Sequence, residues 1–104
     1  MGQTATAKPL IARSSNILIT NMVLTLSGTE YSHALQSGLK QLYLASRDNT
    51  AILKYAFVSG DSGIKYMTLN GCCSLNLTDI ELQSMVLYIQ SSKATTTIEI
   101  MELY

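Results

Sequence analysis

The chain has 104 residues, seven basic and seven acidic, with zero formal net charge and a charged fraction of 13%. That length suits one domain with a core of its own, and the balanced charge excludes a global basic field for gathering nucleic acid or anionic lipid. No apolar run approaches the roughly 20 residues that cross a bilayer, so no membrane partner is expected. Mean hydropathy is nonetheless +0.21, which suits equally an ordinary β domain with a Thr-rich surface and a sparsely charged subunit that hides part of its surface in an assembly.

In chain order, residues 1–16 read as an extended arm of small and polar residues. Leu10 and Ile11 are its bulky pair, Pro9 sits in its midst, and Lys8 and Arg13 make it a small basic segment. With too little apolar content to build a core, the arm reads either as a segment that a partner orders or as a plain flexible terminus. Lys8, Pro9, Leu10, Ile11 and Arg13 are therefore the candidate partner-binding residues. The arm has neither the basic start nor the apolar stretch of a secretion signal, so synthesis in a cytoplasm is expected.

Residues 17–104 read as a β domain. The aliphatic and β-branched run at 17–26 (ILITNMVLTL) predicts a first strand, turned by Ser27-Gly28-Thr29 into a hairpin with 30–35 (EYSHAL). Tyr31, His33 and Leu35 then share one face, and His33 reads as a structural histidine with no nucleophile or orienting acid near it in sequence. Residues 39–69 hold three strand-length apolar runs separated by 47–50 (RDNT) and 59–63 (SGDSG), which predicts a three-stranded antiparallel meander. In its middle run Leu53, Tyr55 and Phe57 fall on the core face.

Asn70-Gly71 is a strong turn signal that predicts a second hairpin, with residues 72–77 returning along 64–69. Residues 78–84 read as a loop or short 3₁₀ turn, with Thr78 and Glu81 at capping-box spacing. Strands follow at 85–90 and 95–103. About eight short, regularly spaced strands predict an all-β fold, an antiparallel β-sandwich or jelly roll. Its core is expected from Leu42, Leu44, Leu53, Tyr55, Phe57, Leu69, Leu87, Ile89, Ile98 and Ile100.

Little in the chain points to chemistry. Asp48, Asp61 and Asp79 sit in turns, where short carboxylates cap the backbone. The SGDSG segment lacks the Lys-Ser/Thr ending and following helix of a phosphate loop, and no serine stands in a GxSxG elbow. Cys72 and Cys73, with one histidine, are too few for a four-ligand zinc site; one thiol is expected to face inward and the other outward. Lys40, Lys54, Lys65, Tyr43, Tyr55 and Tyr66 could make a basic and aromatic nucleic-acid face, but several of these tyrosines share faces with core residues. No enzyme activity, cofactor, metal or nucleic-acid partner is expected.

The pattern EYSHAL, LYLASRDN, ILKYAFVSGDSGIKYMTLNG and VLYIQSSKATTTIEIMEL, running from Glu30 to the C-terminus, resembles a class of small β-sandwich proteins of tailed bacteriophage virions. That resemblance implies a non-enzymatic structural component: a capsid decoration (cement) protein, or a head-fibre or tail accessory subunit. Its implied partners are the major capsid protein or neighbouring virion subunits, joined through the arm, and further copies of itself in a trimer or larger symmetric array. Its implied location is the virion, after synthesis in the host cytoplasm. An alternative reading is a carbohydrate- or receptor-binding module using a sheet face, or the loops 47–50 and 59–63 at one end of the sandwich; six tyrosines favour it and the absence of Trp weighs against it.

Overall fold

The computed structural model describes residues 16–78 and 85–104. The predicted arm, except Asn16, and most of the predicted 78–84 turn lie outside the described residues. Among those described there are eight strands: β1 (Ile17–Leu24), β2 (Tyr31–Ala34), β3 (Gln41–Ser46), β4 (Ile52–Ala56), β5 (Met67–Asn70), β6 (Ser74–Leu77), β7 (Val86–Ser91) and β8 (Thr96–Leu103). A single 3₁₀ turn, Asp61–Gly63, lies between β4 and β5.

The strands form two four-stranded antiparallel sheets, ordered β1-β8-β3-β6 and β2-β7-β4-β5. Their inner faces meet in one aliphatic core: Leu24, Leu42, Leu44, Ile98 and Ile100 from the first sheet, Leu53, Tyr55, Leu69, Leu87 and Ile89 from the second, closed by Leu35 and Leu39. Strict alternation produces this. On β8, Thr96, Ile98, Ile100 and Glu102 are buried while their neighbours are partly exposed, because successive side chains leave opposite faces of a strand. Nine of the ten expected core residues are buried, and Phe57 is half-buried, packed edge-on to Tyr55 with ring centroids 6.2 Å apart.

The strand pairings differ from the sequence expectation. β4 and β5 form a hairpin around the SGDSG loop, as read. The other half of the predicted meander is absent, since β3 pairs with β6 and β8 and lies in the opposite sheet from β4. Likewise β1 and β2 do not form a hairpin: β1 pairs with β8 and β2 with β7. The Asn70-Gly71 turn also fails to make one, because it carries the chain from β5 in the second sheet to β6 in the first. Its glycine serves close approach rather than a left-handed turn. Gly71 N–H donates to Ala51 O at 2.7 Å, and a Cβ there would collide with the backbone of Asp48 and Ala51. The turn residues that reverse a chain within one sheet also let it step between two, so composition alone does not separate a hairpin from a corner.

Candidate functional site

The inner space between the sheets is mostly apolar; at one end Ser91 and Thr96 are buried and satisfy each other, hydroxyl to hydroxyl at 2.9 Å, and near the end of β8 lies a buried acid. Glu102 is fully buried, and its Oε1 lies 3.3 Å from His33 Nε2 on β2. The Gln36 backbone N–H donates to the same oxygen at 3.4 Å. Neither His33 Nε2 nor Glu102 Oε2 makes a hydrogen bond, so the pair is a close polar contact rather than a fully satisfied network. The orienting acid that His33 lacks in sequence thus arrives from the far end of the chain. The parity that puts Ile98 and Ile100 in the core puts Glu102 there too, a signal available from alternation alone. Two titratable side chains do not make a metal centre, and no cluster of three or more His, Cys, Asp or Glu side chains occurs among the described residues.

The outer face of the first sheet has a different character. On β1, Ile17, Asn21, Ile19 and Val23 point away from the core, and Ile17 and Ile19 are 66% and 65% exposed. Ladder partners extend this apolar strip across the sheet: Ile17 stands beside Leu103, and Ile19 beside Met101 and then Tyr43. An open groove of about 360 Å³ runs here, lined in part by Ile19, Tyr43 and Met101. The Arg47 Nε–Glu99 Oε2 ion pair, at 2.8 Å, borders it. The charges on this face neutralise each other, and the apolar strip remains uncovered by any described residue.

Among the described strands β1 is an edge of the first sheet, and that edge belongs to the same surface. Asn16 and Tyr104 exchange both backbone hydrogen bonds, each at 3.0 Å, and continue the β1–β8 ladder. In an antiparallel ladder bonded and non-bonded pairs alternate, so even-numbered β1 residues bond to β8. Ile17, Ile19, Asn21 and Val23 turn their N–H and C=O groups to the outside.

Other sequence candidates disperse. Lys8, Pro9, Leu10, Ile11 and Arg13 lie outside the described residues. The loops 47–50 and 59–63 flank β4 on either side, so they sit at opposite ends of that strand and not at one end of the sandwich. In the first, the Asp48 carboxylate accepts from Thr50 N–H and Oγ1 at 2.9 and 2.7 Å, which holds its pKa down; Lys93 Nζ stands 3.5 Å away. In the second, Glu30 accepts from Ser62 Oγ at 2.5 Å, Gly60 N–H at 2.9 Å and Ser62 N–H at 3.2 Å. These bonds, the Ser62 hydroxyl first, hold the Glu30 carboxyl below its ordinary value of 4.5.

The tyrosines divide as well. Tyr55 is buried, which pushes its phenol upward; Tyr43 is on the outer face of the first sheet, and Lys54 of the second sheet lies 4.8 Å over the Tyr66 ring. They do not build one nucleic-acid platform. Cys72 and Cys73 are both exposed, contrary to the expectation of one inward thiol, because they occupy the corner between sheets rather than a strand. Their sulfurs are 3.6 Å apart, and the contact with Cys72 pushes the Cys73 thiol up.

Strand order and connectivity define the class: two four-stranded sheets, with consecutive described strands alternating between them except at β4–β5, make a double-stranded β-helix, or jelly roll. Among solved structures, the chain is similar to a de novo designed double-stranded β-helix determined by solution NMR, with a TM-score of 0.51 and 11% identity over 86% of this chain and 100% of that one. At that identity the likeness speaks for fold alone. No family model matches the chain, and no curated protein matches it.

Proposed function

We propose that the protein is a non-enzymatic structural subunit that works by joining other subunits, and that its assembly is a phage virion, where it serves as a capsid decoration or accessory protein. The observation that carries the assembly reading is the apolar strip on the outer face of the first sheet, exposed at Ile17 and Ile19 and half-buried at Tyr43, Met101 and Leu103, which no described residue covers, since a subunit with such a strip gains by covering it. The aliphatic filling between the sheets supports the non-enzymatic half. The virion half rests on the sequence resemblance from Glu30 onward. The basic, core-less arm with Lys8, Pro9, Leu10, Ile11 and Arg13 is the fastening segment, suited to pairing with a neighbouring subunit's sheet edge.

Co-sedimentation with purified phage particles tests this reading. The full chain should pellet with the particles, and removal of residues 1–15 should leave the thermal transition in place while abolishing co-sedimentation. If the full chain stays in the supernatant, the virion reading falls. If the shortened chain pellets equally well, the arm is not the fastener.

A further inference from the structure

Four strand edges flank the two sheets among the described residues: β1 and β6 in the first, β2 and β5 in the second. Three of them, β2, β5 and β6, are four residues long, a common way of denying a neighbour a template. β1 is eight residues long, and its sequence ILITNMVL has no charge and no proline. Its ladder with β8 runs from Ile17↔Leu103 to Leu24↔Thr96 without a bulge. Among the described residues, the devices that protect a sheet edge are missing from this one.

We infer that β1 pairs antiparallel with β1 of a second copy, joining two first sheets into one continuous sheet about a two-fold axis through Thr20. The register follows from the geometry. Both free edges offer the N–H and C=O groups of odd-numbered residues, and side chains on one face must meet side chains on the same face, so residue numbers across the new ladder must sum to an even value. Centring on Thr20 uses all four outward-bonding residues: Ile17 faces Val23 and Ile19 faces Asn21, each twice. It also brings Leu18 opposite Met22 on the inner side. With no charge on either strand, self-pairing sets no like charges against each other.

The interface is modest. A strand of this length spans about 27 Å at about 3.4 Å per residue, so the shared strip falls below the roughly 1,200 Å² of a standard interface. The dimer is therefore reversible and concentration-dependent. It stands on the β1 edge alone, whichever larger structure the subunit joins.

Sedimentation velocity of the full chain, from about 1 to 500 μM, should show a monomer–dimer equilibrium. Ile19→Pro should return it to monomer with little change in melting temperature, since the N–H lost points away from β8; Ile19→Lys serves as a second variant that keeps the backbone intact. With both native cysteines changed to serine, Thr20→Cys should form a disulfide-linked dimer under mild oxidation several-fold faster than Met22→Cys, because Thr20 faces its own copy in a close, non-bonded pair. A full chain that stays monomeric throughout overturns the inference. So does a dimer that both Ile19 variants leave intact, equal cross-linking at positions 20 and 22, or a dimer that appears only after residues 1–15 are removed, which would mean that the chain's own arm occupies the edge.

Discussion

Glu102 has no exposed surface and faces His33 across the core, with Oε2 left without a hydrogen bond. A polar group buried this deeply is costly wherever its partners are incomplete, and His33 is the side chain nearest to it. His33→Ala leaves the fully buried carboxyl group without its neighbouring side chain and should cost about 1 to 3 kcal/mol, whereas Glu102→Leu removes the buried polar group itself and leaves only the partly exposed His33 to find water, so it should cost less; chemical denaturation at pH 7 of both variants checks the asymmetry, and equal losses would contradict it. The neighbouring thiols offer a kinetic test. Because the Cys72 contact pushes the Cys73 thiol up, Cys72→Ala should lower that pKa and speed alkylation of Cys73 at pH 8, where the reactive thiolate is scarce. Stopped-flow labelling of both forms reads this directly. At this scale alternation was informative: it put Leu53, Tyr55, Ile98 and Ile100 in the core, and Glu102 followed the same parity. The exposure of both cysteines was not legible, because it depends on their lying in a corner instead of a strand.

Strands and their spacing were legible because β-branched and aliphatic alternation marks each one locally. Partner choice was not. Periodicity fixes which way a side chain points but carries no information about which strand lies alongside, and Asn70-Gly71 looks the same in a hairpin and in a corner. That corner has a requirement of its own, since the Gly71 Cα is pressed against the 48–51 backbone. Gly71→Ala should lose about 1 to 3 kcal/mol, as overpacking at a tight site does, while alanine at the neighbouring, exposed Cys72 should be nearly silent; thermal melts of the two compare them. At the other end of β4, Glu30 stitches the 59–63 loop to the start of β2. Its depressed pKa means that this contribution is present above about pH 4.5 and fades as pH falls through the lower folded-state value. The difference in melting temperature between the native chain and Glu30→Gln should accordingly shrink as pH falls from 6 to 3. A difference that holds constant would show that the carboxylate's charge is irrelevant to the loop.

For the whole molecule, the partners of the first sheet are far apart in the chain: β1 at residues 17–24 is held by β8 at 96–103, and β3 lies between β8 and β6. Among the described strands, the single consecutive pair joined in one sheet is β4–β5. During synthesis, therefore, the ribosome delivers β1 long before anything exists to hold it, and the one ladder that can close early is the β4–β5 hairpin. Closing distant ladders before local ones reward the cost makes such chains slow to fold. Throughout that interval β1 offers two unpaired edges and an uncharged apolar strip, so the strand proposed to join finished copies is also the one with the greatest opportunity to find a wrong neighbour on a crowded polysome.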